Sequence, residues 1–530
     1  MQKRLGMKLK IVIHCFYRIA AAESSPWRHD QACQLHLNMN MIQKLKKVLE
    51  MSNYNNQNVQ KLFGIPSKKD LIGKNNLNEL DKHQMLAFAQ CPIYLKPVAA
   101  GTQTNLPSML HDLMKDDGRS TKDGDEEMAS LKCFVLLFLL GFALPRDLLV
   151  NHIIGGEDTI ELMERLGFLF SCETNPSIMV PYVHLFPLDV DVVGDSNSDT
   201  EAIVFVTDCH PVILQRTTVG TMEEGAVMYI GPDSLALVHC LPLQSIRNND
   251  EHGGDFKVLD FCTGSGIQLI STLVSLKICK PKANGVFVDV NKRALRFANF
   301  NAILNEIEEK RLSFINSDIT SQDVGVELPM ESFDMVLANP PFIPVPHSSK
   351  DGTINDAIDK RYGLFSSGGS SGEEVLRLIV SLSSKLLKPS GGFLGIVSEF
   401  MNPPSNEDDK ELTRKIQLWW RGLELSDKST SFGNGQLFTN EHPISAYTYA
   451  QRRADNKDEL DEWLHHLKRF NISCVSPGLL FVGTDGQKPC RYHDLSLDSR
   501  IVPKTKFGSI WTPYNLDAVW FVKGEWDKQL

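Results

Sequence analysis

The stretch Lys257–Leu269, KVLDFCTGSGIQL, decides the fold class because it joins a buried strand to a helix through a short glycine turn. Gly264 and Gly266 let the backbone approach a ligand where a side chain would clash. The first turn of the following helix offers N–H groups that lack intrahelical partners. The spacing D-x3-G-x-G differs from the dinucleotide motif G-x-G-x-x-G, and Asp260 would repel a pyrophosphate. We therefore predict a cationic ligand group, such as an amino group, beside Asp260.

Strand candidates and helical stretches alternate along the chain around this turn. Six short apolar runs have the pattern of strands: Ala202–Val206, Lys257–Phe261, Gly285–Val290, Leu312–Asn316, Phe333–Ala338 and Gly392–Ser398. Helical stretches separate the last five, and this alternation is typical of a parallel sheet with helices on both faces. The sequence predicts an α/β fold with a doubly wound, mostly parallel sheet.

Two acids follow the next strands of the predicted sheet. Asp289 ends the strand in GVFVDVN, 23 residues after Gly266. An acid about 20 residues beyond a glycine loop is suited to bind the two hydroxyls of a ribose, although Asp289 could instead only cap the next helix. Asp318 follows the strand in LSFINSDI. It could accept a hydrogen bond from an adenine amino group, and a surface turn is the competing interpretation.

The run Phe333–Phe342, FDMVLANPPF, is the most specific signal in the chain. Two prolines end the strand and fix φ near −65° without offering an N–H group. The loop then presents two hydrogen-bond acceptors, the side-chain oxygen of Asn339 and the backbone carbonyl of Pro340. Phe342 adds a flat apolar face. Acceptors beside an aromatic ring suit a planar –NH2 group, either an amide or the exocyclic amine of a base.

In this order, VLDFCTGSG, VDVN, NSDI and NPPF resemble the motifs of class I S-adenosylmethionine-dependent methyltransferases, and NPPF resembles the members that methylate a nitrogen conjugated to a π-system. Met228–Val238, MYIGPDSLALV, and Gly368–Gly392, GGSSGEEVLRLIVSLSSKLLKPSGG, are similar to segments of the HemK/PrmC-like glutamine methyltransferases, which carry the methyltransferase small domain. The resemblance covers about residues 228–400. Cys262 stands where the family usually has glycine, and Ser371 where it usually has aspartate.

The resemblance implies a Rossmann-like fold and S-adenosyl-L-methionine as the cofactor. The cofactor-binding residues that we expect are Asp260, Thr263, Gly264, Gly266, Asp289, Asp318 and Asn339. By analogy with the family, Asn339 and the Pro340 carbonyl accept hydrogen bonds from both N–H groups of the methyl acceptor, while Phe342 stacks on its planar group. We expect no metal site: His465 and His466 have no suitably spaced acid or cysteine partner, and both are predicted on a solvent-facing helix face.

The sequence leaves the methyl acceptor open between a protein and a nucleic acid. Residues 250–400 hold 15 basic and 19 acidic residues, which is no nucleic-acid footprint at the level of the domain. This balance favours a glutamine amide of a protein. The alternative is an adenine or guanine exocyclic amine of RNA or DNA, and a second alternative is a non-catalytic subunit that only binds a partner. The sequence makes no prediction of the oligomeric state.

Residues 131–190 have the pattern of a winged-helix-like unit, with helices followed by a β-hairpin. They carry 3 basic and 7 acidic residues, so we predict an accessory role in packing or substrate orientation rather than contact with phosphates. Met41–Met51 could form an amphipathic helix. The predicted division is a basic N-terminal extension (1–101), a linker (102–130), the accessory unit (131–190), the catalytic core (200–400) and a C-terminal part that completes or flanks the core (401–530).

The composition of the 530 residues excludes several classes of protein. It is 42% hydrophobic and 23% charged, which is ordinary for globular domains, and the net charge of −10 argues against a general polyanion-binding protein. The 11 cysteines form no C-x2-C pair, which favours a reducing compartment. The longest apolar run has 11 residues, whereas a membrane span needs about 20. We predict a cytoplasmic protein, or an organellar one if the basic, acid-free residues 1–22 are a transit peptide.

Overall fold

The computed structural model describes residues 37–62, 123–139, 141, 143–172, 175–194, 200–208, 227–243, 256–320, 328–346, 366–403, 410–422, 435–439, 443–484 and 518–522. The basic segment 1–22 and most of the predicted N-terminal extension lie outside these residues. Among the described helices, none combines the length and the apolar character that a bilayer span requires.

The N-terminal part of the described chain holds five α-helices and three short strands. They are α1 (Met39–Met51), α2 (Asn56–Leu62), α3 (Asp123–Phe134) with a π-helical turn (Val135–Leu139), β1 (Leu144–Pro145), α4 (Arg146–His152), α5 (Gly156–Leu166), β2 (Leu169–Cys172) and β3 (Asn175–Pro181). The strands form an antiparallel sheet in the order β1-β3-β2. This is the succession of helices and hairpin that the sequence predicts. Of the predicted linker 102–130, residues 102–122 lie outside the described residues, and α3 begins at Asp123.

Helix α1 is held by a side-chain cap and by an apolar face that packs into the core. The Asn38 side chain caps it by accepting a hydrogen bond from the Met41 backbone N–H. Its buried residues, Met41, Ile42, Leu45, Val48 and Leu49, follow the spacing of one helix face. The predicted amphipathic helix is therefore confirmed. These residues share one apolar core with α5 and with one face of the central sheet.

A separate hairpin follows β3. Its strands are β4 (Val183–Asp191) and β5 (Thr200–Asp208), which pair antiparallel as a two-stranded sheet. The predicted strand Ala202–Val206 thus exists, but it lies outside the parallel sheet. Two asparagine side chains cover the other edge of β5. Asn301 exchanges hydrogen bonds of 2.7 and 2.9 Å with the backbone N–H and C=O of Val206, and Asn305 does the same with Val204 at 3.1 and 2.9 Å.

The rest of the described chain builds a nine-stranded sheet with helices on its faces. The elements are α6 (Pro232–Cys240), β6 (Lys257–Phe261), α7 (Ile267–Ser275), β7 (Asn284–Asp289), α8 (Lys292–Leu304), β8 (Leu312–Asn316), β9 (Met335–Ala338), α9 (Glu374–Leu386), β10 (Phe393–Met401), α10 (Lys410–Arg421), β11 (Gly435–Thr439), β12 (Ile444–Ser445), α11 (Ala446–Gln451), α12 (Lys457–Arg469), β13 (Cys474–Gly483) and β14 (Ala518–Val522). The order is β14-β11-β13-β10-β9-β6-β7-β8, and β12 pairs with β13. Strands β6 to β10 are parallel, whereas β11 to β14 join antiparallel. The predicted doubly wound, mostly parallel sheet is confirmed.

One histidine of the C-terminal helices contacts the loop before α9. His465 is exposed, as the sequence predicts, but His466 is buried and its Nε2 atom lies 2.8 Å from the carbonyl oxygen of Ser370. The prediction of a solvent-facing histidine pair is therefore wrong for His466. The reason is tertiary: the face of α12 that carries His466 and Leu467 packs inward. In the part of the chain that the structure describes, no three His, Cys, Asp or Glu side chains are grouped to hold a metal.

Candidate functional site

A cavity of about 270 Å³ lies at the carboxyl ends of the parallel strands β6, β7, β8 and β9. Strand β6 lies between β7 and β9, so the strand order reverses at this point. Crevices of this kind are where open α/β sheets bind their ligands. Five of the predicted site residues line the cavity: Thr263, Gly264, Asp289, Asp318 and Asn339. Four others are absent from the described lining: Asp260, Gly266, Pro340 and Phe342.

The loop after β6 forms one wall of the cavity. Cys262 stands at the position where the family usually has glycine, and its φ of 53° lies in the left-handed region. The backbone geometry therefore explains the usual glycine, and cysteine adopts it at some cost in strain. Burial raises the pKa of the Cys262 thiol well above its usual value, which keeps the thiol protonated. At Gly264 a Cβ atom would meet open space, so the backbone there is accessible from the cavity.

The Asp289 carboxylate fixes this loop to the end of β7. Its Oδ2 accepts the Gly264 backbone N–H at 2.9 Å, and its Oδ1 accepts that of Asn291 at 2.8 Å. Burial raises the pKa of Asp289, and these two N–H donors counteract that rise by favouring the charged form. Each carboxylate oxygen has a further lone pair, so the group can still accept hydrogen bonds from a ligand.

Asp260 and Gly266 lie behind the cavity wall. The Asp260 side chain is fully buried and accepts a hydrogen bond from the Thr263 hydroxyl. Burial raises the pKa of Asp260 to about 8. Thr263, which lines the cavity, thus stands between this carboxyl group and a ligand. Direct contact of Asp260 with a cationic ligand group stays a prediction.

Asp318 lies on the cavity wall beyond β8. Its Oδ1 accepts hydrogen bonds from the backbone N–H of Thr320 at 2.8 Å and from the Thr320 hydroxyl at 2.7 Å. The residue therefore forms a local turn, as the competing interpretation holds, and it also faces the cavity. The adenine role stays a prediction.

The amide of Asn339 has a fixed orientation at the end of β9. Its Nδ2 donates to Asp233 Oδ2 at 2.7 Å and to Ser234 Oγ at 3.1 Å. Its Oδ1 is buried and has no hydrogen-bond partner among the described residues. A buried acceptor without a partner costs free energy unless a ligand satisfies it. Asn339 lines the cavity, so an N–H or O–H donor of a ligand that reaches this buried oxygen would satisfy it.

The rest of the NPPF segment is held by the glycine-rich loop before α9. A Cβ atom at Gly368 would lie 2.6 Å from the Phe342 Cα, so the two backbones meet where only glycine fits. The Ile343 N–H donates to Ser366 O, and the Gly368 N–H donates to Ile343 O, both at 2.9 Å. Pro341 lines the cavity, whereas Phe342 is half-buried.

Sequence reasoning assigned no role to the residues before and inside α6. Met228, Tyr229 and Ser234 line the cavity, and Asp233 contacts Asn339 from behind it. The segment MYIGPDSLALV contains these residues, but its Pro, Asp and Ser are also typical of the start of a helix, so the sequence alone did not indicate a role in the site. Their contact with a loop about 105 residues away depends on the tertiary fold.

A comparison with curated proteins identifies the family. A putative protein N5-glutamine methyltransferase of Methanocaldococcus jannaschii is 30% identical over 187 residues, which are 35% of this chain and 76% of that protein. The chain belongs to the class I methyltransferases of the HemK/PrmC type. Residues 234–370 match the family described as the methyltransferase small domain. The cofactor of this family is S-adenosylmethionine.

Two further relatives of this methyltransferase share shorter segments. The release factor glutamine methyltransferase of Leptospira interrogans is 38% identical over 107 residues, which are 20% of this chain and 34% of that protein. The protein of the same description from Clostridium acetobutylicum is 32% identical over 171 residues, 32% of this chain and 54% of that protein. The chain thus spans about a third and about half of the length of these two relatives.

Proposed function

We propose that this protein is an S-adenosylmethionine-dependent N-methyltransferase that acts on a glutamine side-chain amide of a protein. The orientation of Asn339 carries the proposal. Because Nδ2 is held by Asp233 and Ser234, the atom left for a ligand is the acceptor Oδ1. An acceptor at this point pairs with the N–H of a primary amide, which is a donor.

The residues that line the cavity support binding of the family's cofactor. The cavity volume of about 270 Å³ lies just below the range of roughly 300–1,000 Å³ for ligand pockets. Asp289 would bind the ribose hydroxyls and Asp318 the adenine amino group. Gly264 and Thr263 would border the amino-acid end, since no side chain fills the space above Gly264. When bound, the cofactor supplies a methyl group on a positively charged sulfur.

The protein's own part in the reaction is positioning. An amide nitrogen is a poor nucleophile because its lone pair is delocalised into the carbonyl group. Asn339 Oδ1 and the Pro340 carbonyl oxygen would accept hydrogen bonds from the two N–H groups of the amide nitrogen. These hydrogen bonds would turn the lone pair of the nitrogen towards the methyl group. Such alignment is worth up to roughly 7–11 kcal/mol. The same two oxygens would stabilise the positive charge that grows on the nitrogen. The methylated nitrogen would then lose one of its two protons to water, which leaves a neutral N-methyl amide.

Two observations support a protein acceptor over a base. The relatives described above are glutamine methyltransferases by name. Residues 250–400 also lack the excess of Lys and Arg that phosphate contacts require. The acceptor's identity, the cytoplasmic location and the accessory role of residues 131–190 stay predictions.

The acceptor can be identified by labelling. The purified chain is incubated with tritiated S-adenosylmethionine and cell extract, with the Asn339→Ala variant as the matched control. We expect label that protease releases, and a methyl group that mass spectrometry places on glutamine. Label that only nuclease releases would assign the reaction to a base amine, on an unpaired or flipped-out nucleotide. Absence of label despite cofactor binding would support the non-catalytic binding subunit.

A further inference from the structure

The carboxyl group of Asp233 is buried beside the site, at the N-terminus of α6. Its side chain is 3% exposed, and none of the ion pairs among the described residues includes it. The partners that balance it are the Asn339 amide and the backbone N–H groups of Asp233 and Ser234. Burying a carboxylate without a cation costs free energy of folding. We therefore expect the Asp233 side chain to have a function that offsets this cost.

The Asn339 amide can pair with this carboxylate in one orientation. Burial raises the pKa of Asp233, and the hydrogen bonds from the Asn339 amide and the two backbone N–H groups oppose that rise by favouring the charged form. In that form the carboxylate only accepts hydrogen bonds, so the NH2 half of the amide must face it. A half-turn of the amide would put Oδ1 at 2.7 Å from Asp233 Oδ2, and the two acceptors would repel. The charge-assisted hydrogen bond also polarises the amide and strengthens Oδ1 as an acceptor.

We propose that Asp233 is a positioning residue for methyl transfer: it locks the Asn339 amide so that Oδ1, and not Nδ2, meets the acceptor nitrogen. The inference rests on the proposed function, because the acceptor nitrogen is the partner that Oδ1 awaits. Without Asp233 the amide is free to turn, and its NH2 half would then repel the N–H bonds of the acceptor.

Gly231 provides an independent way to disturb this contact. A Cβ atom at this position would lie 2.3 Å from Asp233 Oδ1, so the carboxylate would have to move. The φ of Gly231 is −99°, which any residue adopts, so the close approach is the reason that alanine does not fit. Gly231→Ala therefore displaces the carboxylate while keeping its charge.

The first test measures turnover. Loss of a hydrogen bond to a charged group corresponds to roughly a 10- to 150-fold change. We expect Asp233→Ala to lower kcat by about this factor with cofactor affinity unchanged, and Asp233→Asn to recover most of it, since it can still present an oxygen to Nδ2. If Asp233 acts through Asn339, the double variant Asp233→Ala/Asn339→Ala is no slower than Asn339→Ala alone. Additive losses would overturn the inference.

The second test needs no turnover. In protein labelled with nitrogen-15 asparagine, the side-chain NH2 signal of Asn339 is assigned by its loss in Asn339→Ala. We expect its hydrogen exchange to be slow in the wild type and faster in Asp233→Ala and Gly231→Ala. Unchanged exchange in both folded variants would overturn the inference. Faster exchange with unchanged turnover would also overturn it. If exchange is faster in the two variants but the wild type itself transfers no methyl group to a glutamine, the proposed function is refuted and the locking contact is still established.

Discussion

The Nε2 atom of His466 lies 2.8 Å from the carbonyl oxygen of Ser370, which joins α12 to the glycine-rich loop before α9. That loop meets the backbone of Phe342 and Ile343 directly after the NPPF prolines. Helix α12, through a residue 96 positions further along the chain, therefore supports the loop on the side of the cavity where we expect the methyl acceptor.

Replacing His466 with alanine should weaken catalysis through this loop. One lost hydrogen bond corresponds to roughly a 2- to 10-fold effect, and we expect it in kcat/KM for the methyl acceptor, with cofactor affinity unchanged. His465→Ala is the matched control, because that neighbouring side chain is exposed and should have no effect. Equal behaviour of the two variants would show that α12 does not support the site.

Asn339→Ala should separate turnover from cofactor binding. Its unpartnered oxygen is expected to contact the acceptor, so the benefit arises mainly in the transition state. We expect kcat to fall by about 10²–10³, as for one lost oxyanion-type contact, with little change in cofactor affinity measured by calorimetry. A variant that turns over normally would remove Asn339 from the proposed mechanism.

Asp289→Ala should weaken cofactor binding. The change removes the predicted ribose contacts and leaves the backbone N–H groups of Gly264 and Asn291 without their acceptor. Each lost ribose contact costs roughly 1–3 kcal/mol, or about 5- to 150-fold in affinity for S-adenosylmethionine by calorimetric titration. Glu161→Ala, an exposed acid on α5, is the control. Undiminished affinity would place the ribose elsewhere.

The buried Asp260 should make stability depend on pH. Burial raises its pKa to about 8, whereas aspartate in the unfolded chain titrates near ~3.9. Between these values the folded state binds a proton that the unfolded state has lost, so the free energy of unfolding falls as pH rises. Asp260→Asn removes this titration. Denaturant midpoints of the variant should fall less steeply than those of the wild type between about pH 5 and 8, and parallel curves would contradict the prediction.

The helical unit around α5 should not read DNA. Arg146, one of its few basic residues, is already paired with Glu157 and Glu164, and α1 packs against α5. We expect Arg165→Glu to leave any duplex-DNA affinity of the full chain unchanged in anisotropy titrations at low and high salt. A large loss together with a shallower salt dependence would show that this surface contacts phosphates.

The sequence predicted the elements whose apolar runs have clear ends. Lys257–Phe261 and Leu312–Asn316 agree with β6 and β8 to the residue. The sequence did not predict the pairing of β5. Its partner β4 precedes it in the chain and is not part of the alternation of strands and helices from which the sheet was predicted. Asp123–Gly124 resembles a linker in composition, yet it begins α3.

Some residues of the candidate site could be predicted from the sequence and others could not. Glycines and strand-end acids point to a cavity from spacing alone, and Asn339 follows from the prolines after it. Asp233 and His466 could not be predicted, since each acts on a loop about 100 residues away. Their sequence surroundings are those of an ordinary helix start and an ordinary amphipathic helix.

Asn301 of α8 and Asn305, the residue directly after this helix, have a consequence for solubility. A strand edge with open N–H and C=O groups is a template on which another chain can add a strand, and proteins commonly block such edges. Asn301 and Asn305 occupy the hydrogen-bonding positions of Val206 and Val204, as a neighbouring strand would. Their amides thus close the open side of the hairpin, and the apolar strand β5 is protected from edge-to-edge aggregation by two side chains instead of a third strand.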